Sequence, residues 1–312
     1  MRRFILIRLA AALPTLLGMS LVAFFIVALA PGDPVLMELR SMGIVPKAEE
    51  IEAIRAGYGF DKPLALRYLD WLGRAVRLDF GISISTGRPV IDEIALYLPA
   101  TLLLALSGLC GAIAISLALG VLAALSGRGV RAVLRLGTIL LVSVPAFWLA
   151  LLLIHAFVLH LGWARLLGGG SLRDLVLPAL TLSLAGGAAL GRFVFERVRA
   201  EQSEDYVRLA IAKGIGPLGI LAGHIAPRVI GPLVTSWTMT FGSLLGGSVI
   251  VEAVFSWPGL GQLILQSIAE RDFPVIQAYL VLMGLIFVTT SLVADIVVVL
   301  ADPQLRRQVS HD

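Results

Sequence analysis

Long apolar runs alternate with short polar segments along the whole chain, and this pattern predicts a bundle of membrane-spanning helices. About 20 apolar residues in a helix cross the roughly 30 Å hydrocarbon core of a bilayer. Six runs reach or approach that length, so we expect six spans, of which the last continues through Asp295 to about Leu300. The runs are residues 9–30, 94–126, 136–164, 175–191, 229–251 and 273–294.

Composition supports the same class. Of the 312 residues, 58% are hydrophobic and 15% are charged, whereas an average soluble domain has about 25% charged residues. The mean hydropathy is +0.93. These values exclude a soluble enzyme, a disordered regulator and a fibrous repeat. The net charge of +4 does not indicate a nucleic-acid partner, because the basic residues lie between the apolar runs.

The positions of Lys and Arg predict that both termini are cytoplasmic. With the N-terminus inside, the cytoplasmic segments hold 14 basic residues and the two short outside loops, 165–174 and 252–272, hold three. The first run is longer than the apolar core of a signal peptide, and Pro31 disfavours cleavage after Ala30. It is therefore expected to stay as a span. The predicted cytoplasmic segments are 1–8, 127–135, 192–228 and 302–312.

The spans divide the chain into four regions. We predict a cytoplasmic N-terminus with the first span (1–30), an external segment (31–93), a five-helix core (94–301) with a cytoplasmic loop (198–228), and a cytoplasmic tail (302–312).

The external segment has the pattern of two amphipathic helices. One begins at Pro46, and the other begins at Pro63 and carries Tyr68 and Trp71 on its apolar face. A turn is expected at residues 78–81. The segment is either a cap or interfacial layer on the bundle, or a docking surface for an external partner, and these alternatives are compatible.

Sequence motifs for chemistry are absent. The chain has no GxxxxGK[ST], HExxH, CxxC or GxSxG motif, and its histidines are scattered. We expect no catalytic residue, bound cofactor or metal. Asp295, an acid inside an apolar run, is either the proton site of a stand-alone carrier or a structural partner of Arg306 and Arg307, and the structural role is favoured.

The cytoplasmic loop predicts a short amphipathic helix around 203–214. Ser203 is the expected cap, and Gly214 is the expected end. A second short helix is expected from about Leu218 to Pro227. By itself the pattern fits either an interfacial connector or a knob for a groove on a soluble partner. The apolar stripe of the first helix is predicted to comprise Tyr206, Val207, Ala210 and Ile211.

This loop resembles the coupling loop, or EAA loop, of bacterial ABC-importer permeases. The family pattern is Glu-Ala-Ala, three residues, Gly, nine residues and Ile-x-Leu-Pro. Ala210, Gly214 and Pro227 match it in position. The positions that differ are Arg208, Leu209, His224 and Ala226.

The resemblance extends to one branch of that family, the dipeptide, oligopeptide and nickel permeases. In the loop it rests on Asp-Tyr-Val-Arg at 205–208 and Ala-Lys-Gly at 212–214. Further matching motifs follow in the family's order over nearly the whole chain: residues 30–34, 98–102, 144–148, 177–180, 252–261, 271–275 and 302–303.

The resemblance implies an all-α membrane protein with the type I ABC-importer permease fold. It implies a multi-pass subunit of the bacterial inner membrane that is not itself an enzyme. Its implied partners are a second homologous permease, two cytoplasmic ATPases that use ATP and Mg, an external substrate-binding protein and membrane lipid. The residues implied to contact an ATPase are Asp205, Tyr206, Arg208, Ala210, Lys213, Gly214 and Pro227.

Other functional expectations are less specific. The solute is a di- or oligopeptide, or nickel as a metal chelate; the alternatives are a proton-coupled secondary transporter and a receptor or scaffold. Pro145 and Pro178 lie inside or at the mouth of apolar spans, where they either permit kinks that shape the path or serve packing alone. Glu252 and Glu270 are candidates to meet an external protein. Close packing, within the chain or against a second permease, is expected at Gly187 with Gly191 and at Gly242, Gly246 and Gly247.

Overall fold

The computed structural model of the chain describes residues 2–29, 62–162 and 172–301. Within these ranges the fold is helical, and the only strand-like pairing is one antiparallel bridge between Ile82 and Pro89. The helices are α1 (Arg2–Ala28), α2 (Leu64–Ala75), α3 (Val90–Leu125), α4 (Arg128–Ser143), α5 (Ala146–Leu153), α6 (Val176–Gln202), α7 (Asp205–Ala212), α8 (Pro217–Ile220), α9 (Ala226–Val254), α10 (Leu260–Glu270) and α11 (Phe273–Ala301).

The apolar runs form membrane-length helices. Among the described residues, five helical segments are long and apolar enough to cross a bilayer, and a bent pair adds a sixth if it counts as one span. The last helix continues through Asp295 to Ala301, the last described residue, as its sequence predicts. Two helices extend past the ends of their apolar runs: α6 continues from Gly191 to Gln202, and α9 from residue 251 to Val254.

The third predicted span is not one straight helix. The chain bends by 102° between α4 and the helical segment that runs from Ala146 to His160. Val144, in the break, has an extended backbone, and Pro145 caps α5. A residue before proline is disfavoured in α-helical conformation, which accounts for the break. Residues Ile154–His160 then continue as a π-helix.

Pro178 does not interrupt a helix, which favours the packing alternative for this residue. Pro178 is buried in the first turn of α6. The first backbone N–H groups of a helix have no partner within it, so a proline there removes no hydrogen bond and its φ angle already suits the helix.

The chain divides into two compact units, one formed by residues 1–9, 100–261 and 289–312 and the other by residues 10–99 and 262–288. In the first unit, α3 and α6 pack through glycines. A Cβ atom at Gly120 would lie 2.5 Å from Cβ of Val194, and one at Gly187 would lie 2.8 Å from Cβ of Ile115. Side chains of ordinary size would hold the helices apart, so these glycines allow direct backbone contact.

Beyond α9 in the same unit, the chain turns around a buried carboxylate. Glu252 is fully buried and accepts hydrogen bonds from the Ser248 hydroxyl (3.0 Å) and the Gly261 N–H (2.6 Å). The Trp257 indole N–H donates to the Ala100 carbonyl at 2.9 Å. Glu252 is therefore a structural group, and the expectation that it meets an external protein is wrong.

In the second unit, α2 packs on α1 as the amphipathic pattern predicts. Trp71 is buried beside Phe24, and the hydroxyls of Tyr68 and Ser20 share a hydrogen bond of 2.7 Å. The turn predicted after this helix is present: Leu78 and Gly81 have φ angles of 62° and 84°. The helix predicted to begin at Pro46 lies outside the described residues.

A second buried acid fixes the start of α11. Asp272 is fully buried and accepts hydrogen bonds from the hydroxyls of Ser83 and Ser85, the latter at 2.9 Å. Glu270, just before it, is exposed and accepts a hydrogen bond from Gln266 at 3.0 Å. Of the two glutamates expected at the outer surface, Glu270 is the accessible one.

The contact between α3 and α6 predicts the effect of adding one methyl group. Gly120→Ala should destabilise the protein by about 1–3 kcal/mol, because the new Cβ would overpack against Val194. Gly137→Ala in α4 is the matched control, since apart from chain neighbours and the backbone of α4 itself no heavy atom of the described residues lies within 4 Å of its Cβ position. It should be neutral or stabilising by up to about 1 kcal/mol. Thermal unfolding of both variants in detergent tests this, and equal effects would contradict it.

Candidate functional site

The segment between α6 and α9 carries the short helix that the sequence singled out, but it begins later than predicted. Ser203 does not cap α7: its hydroxyl donates to the Ala200 carbonyl at 2.7 Å, so it ends α6. Glu204, with an extended ψ angle of 151°, precedes the first residue of α7, and no side chain caps that end. Asp205 still places a negative charge in the first turn, where it interacts favourably with the helix dipole.

The inner face of α7 is fixed to its own chain. Val207 and Ala210 are each only 3% exposed. They belong to a buried cluster, here called the loop core, that includes Val194 and Val198 of α6 and Val229 of α9. Because apolar burial is the main stabilising term in packing, α7 is held by both long helices.

The outer face of α7 is open. Leu209 is 57% exposed and Ile211 is 60% exposed. Asp205 and Arg208 form an exposed ion pair with a 3.2 Å separation. Of the predicted apolar stripe, Tyr206, Val207 and Ala210 pack on the loop core, whereas Ile211 faces outward. The result is a mixed apolar and charged surface.

Tyr206 joins three elements at the base of α7. Its hydroxyl donates to Oε2 of Glu201 at 2.6 Å, and the Arg228 guanidinium lies 4.3 Å from its ring centroid. Burial, followed by the hydrogen bond to Glu201 and the charge of that carboxylate, raises the pKa of Tyr206 to about 12. Sequence reasoning did not identify Glu201 or Arg228, since neither stands at a helical spacing from Tyr206.

The end of α7 has the geometry that its glycine predicts. Gly214 has a φ angle of +79°. Its N–H bonds the Ile211 carbonyl at 2.9 Å, and the Ile215 N–H bonds the Ala210 carbonyl at 3.1 Å. These two hydrogen bonds form a Schellman motif, in which a glycine in the left-handed region satisfies the last carbonyls of a helix. Lys213, the residue before it, is exposed.

The second short helix does not end at Pro227. Pro217 begins α8, which continues through a π-helical segment, Leu221–Ile225, directly into α9. Pro227 lies two residues after the π-helical segment, inside this continuous helix. The loop therefore ends by becoming the fifth apolar helix, without a break.

The small residues of two helices differ in what they face. Gly187 and Gly191 of α6 lie against α3, so they serve packing within the chain. On α9, a Cβ atom at Gly242 would meet Thr290 at 3.6 Å. At Gly246 and Gly247, apart from chain neighbours and the backbone of α9 itself, no heavy atom of the described part of the chain lies within 4 Å of the Cβ position.

Asp295 has a partner within the first unit. Its carboxylate lies 3.1 Å from the Arg8 guanidinium. The partners expected from sequence, Arg306 and Arg307, lie outside the described residues. Within residues 2–29, 62–162 and 172–301, no three His, Cys, Asp or Glu side chains form a group that could hold a metal ion.

The chain matches two protein families along its length. Residues 116–307 match the family described as the inner membrane component of binding-protein-dependent transport systems. Residues 1–105 match the N-terminal family of the same membrane components.

Curated relatives are similar over nearly the full length. The chain is 37% identical over 307 residues to the glutathione transport system permease protein GsiC of Escherichia coli strain K12, covering 98% of this chain and 99% of that protein. The protein of the same name from Shigella flexneri serotype 5b is 36% identical with the same coverage.

The fold is similar to that of a solved transporter. A chain of the inward-facing MetNI methionine ABC transporter superposes with a TM-score of 0.59 and 19% sequence identity, covering 67% of this chain and 96% of that one. A second crystal form gives a TM-score of 0.58 with 20% identity, covering 68% and 97%. At this identity the similarity concerns the fold alone, an all-α permease fold of type I.

The environment of Tyr206 predicts that its hydroxyl ionises at a higher pH than that of an ordinary tyrosine. With its pKa raised to about 12, the hydroxyl stays protonated where an unfolded-state tyrosine, with a pKa of about 10, would ionise. The stability that this group contributes is thus complete below pH of about 10 and is lost as the pH rises through about 12. The difference in tyrosinate absorbance between wild type and Tyr206→Phe should be centred near the higher value.

Denatured protein provides the control, because there the same difference should move to about pH 10. A difference centred near pH 10 in the folded protein would show that Tyr206 lacks the described environment.

Proposed function

Because the chain belongs to the family of binding-protein-dependent transport system inner membrane components, we propose that it forms half of a translocation path which a second, homologous permease completes. Its family branch is that of the dipeptide and oligopeptide ABC importers. It is a multi-pass protein of the bacterial inner membrane and not an enzyme; ATP hydrolysis resides in partner subunits.

The proposal that α7 docks to an ATPase rests on the outer face of this helix. Leu209 and Ile211 stay exposed although the inner face of the same helix is buried. Charged groups flank them at Asp205, Arg208 and Lys213. A short amphipathic helix with a rigid base and an open apolar tip fits a groove on another protein. We assign one ATPase to this helix and a second to the partner permease.

The inner face of α7 supports a mechanical role. The loop core and the Tyr206 contacts join α7 to α6 and α9. A displacement of α7 is therefore transmitted to both long helices, because packed interiors are stiff. We propose that ATP binding closes the two ATPases and turns the permeases outward, and that hydrolysis returns them to the inward-facing state.

The topology that we propose has six spans with both termini in the cytoplasm. The bent pair of α4 and α5 supplies the third span, and the break at Pro145 is our candidate for a gate in the path. The external segment and the cytoplasmic loop keep the limits predicted above, 31–93 and 198–228. On α9, the open positions Gly246 and Gly247 are proposed to pack against the partner permease, with Gly242 beside them.

The proposed solute is a small peptide, delivered by an external binding protein. The curated relatives named above are glutathione transport permeases, and glutathione is itself a tripeptide. A nickel or metal chelate is the second candidate, from the wider branch. The proton-coupled carrier is not favoured, since the acid on which it depended, Asp295, is ion-paired with Arg8.

The docking proposal predicts the effect of a charge on the outer face. Leu209→Asp should lower the amount of ATPase that copurifies with the full transporter by about tenfold or more, because a buried unpaired carboxylate costs several kcal/mol at an interface. Solute uptake should fall in parallel. Leu172→Asp is the matched control, since Leu172 is 75% exposed and lies in a predicted outside loop. Full ATPase retention in Leu209→Asp would overturn the docking role.

The solute proposal is tested on the external binding protein that delivers to this permease. The binding protein is titrated by calorimetry with glutathione, a dipeptide mixture and a nickel chelate. We expect a micromolar dissociation constant for a peptide, which corresponds to a binding free energy of roughly −8 kcal/mol. Uptake of the same solute by vesicles that contain the complete transporter is the second measurement. Binding of the chelate alone would assign the chain to metal transport.

A further inference from the structure

α2 has one apolar side that packs on α1 and a second apolar side that is exposed. Tyr68 and Trp71 belong to the first side, where Trp71 is buried beside Phe24. On the second side, Leu66 and Leu69 are 51% and 58% exposed. They stand three residues apart, so they are neighbours on the helix surface. The contact with α1 therefore accounts for only part of the apolar surface of α2.

The charged residues of α2 lie on a third side. Arg67, Asp70 and Arg74 recur at spacings of three and four residues, so they follow one line along the helix. Each exposed leucine immediately precedes one of them, and since each step along a helix turns by about 100°, the leucines lie on a different side. Asp70 is ion-paired with Lys62 at 2.8 Å, and Arg74 is exposed. A helix divided in this way can contact protein, an apolar medium and water at the same time.

The contact with α1 places α2 at the depth of the membrane. Tyr68 shares its hydrogen bond with Ser20, which lies well before Ala28, the end of the candidate span Leu6–Ala28. At a rise of 1.5 Å per residue, Ser20 is about 12 Å from the end of a span that is about 34 Å long. Because the hydrocarbon core is about 30 Å thick, Ser20 lies roughly 10 Å inside it when the span is centred.

The aromatic contacts between the two helices agree with this depth. Phe24, one turn closer to the end of the span than Ser20, has its ring centroid 5.5 Å from that of Tyr68 and 5.9 Å from that of Trp71. Tyr and Trp are enriched where hydrocarbon meets water. The Tyr68 hydroxyl would be costly without a partner in hydrocarbon, and Ser20 provides one.

We propose that α2 lies in the bilayer interface, with Leu66 and Leu69 in contact with lipid acyl chains and the charged side toward water. The sequence left two roles open for the external segment, an interfacial layer or a docking surface for an external partner. For α2 the proposal selects the interfacial role. Assignment to the outer leaflet rests on the topology in the proposed function. The contact with lipid does not, because it follows from the position of α2 along the span of α1.

Fluorescence quenching in the complete transporter, reconstituted in lipid nanodiscs, tests the contact. Bimane is attached to Leu69→Cys in a transporter without other cysteines, in which Cys110→Ala replaces the single cysteine of this chain. Phospholipid with brominated acyl chains should quench this label several-fold more than a label at Arg74→Cys, because bromine quenches only on close contact. Iodide in the water should show the reverse order. Arg74→Cys is the matched control, since Arg74 is exposed on the charged side of the same helix.

Two outcomes would overturn the proposal. Iodide quenching at Leu69→Cys equal to that at Arg74→Cys, with little effect of the brominated lipid, would show that the exposed leucines face water. A label at Leu69→Cys that neither quencher reaches would show that protein covers this side of α2, which would restore the docking alternative.

Leu66→Cys serves if the transporter with Leu69→Cys does not assemble. Leu66 is exposed on the same side of α2, so its label should give the same order of quenching, and stronger quenching by iodide than by brominated lipid would contradict the proposal. Nanodiscs leave both membrane faces accessible to iodide, so the readout does not depend on the orientation of the termini. It also stays informative if the chain moves a different solute or docks differently at α7 from what we propose.

Discussion

Direct contact between α3 and α6 determines where the cytoplasmic helix α7 lies. Gly120 and Gly187 remove the side chains that would separate the two helices. Lipid tails give no hydrophobic drive for helices to associate, so such close packing has to supply the attraction. Val194 packs against Gly120 and also belongs to the loop core beneath α7. The same helical surface therefore positions both the span and the helix that emerges from it.

Buried polar groups impose the second constraint. A charge or a backbone group without a partner costs several kcal/mol in a hydrocarbon environment, and three such groups have partners within the first unit. Glu252 accepts hydrogen bonds from Ser248 and Gly261, and Asp295 pairs with Arg8. Arg131 satisfies the carbonyls at the end of α3. These acids and this arginine thus hold the ends and turns of helices in place.

Apolar run length was sufficient to predict the five membrane-length helices, because it follows from bilayer thickness alone. The turn at Gly214 was predictable too, since it depends on one residue's φ angle. The sequence did not indicate that Ile211 is exposed or that Glu252 is buried, because both depend on what packs against them. A proline in the sequence shows only that one backbone N–H is missing. Whether it bends a helix depends on where that helix begins, and Pro178 lies in the first turn of α6, where no hydrogen bond is lost. The partners Glu201 and Arg228 of Tyr206 are likewise set by tertiary packing.

α6 links the helix contact inside the bundle to α7. Val194 of α6 packs against Gly120 of α3, and Val198, one turn further, lies in the loop core with Val207 of α7. Because packed interiors are stiff, the displacement of α7 that docking is proposed to drive is passed to α6 and from there to its contact with α3.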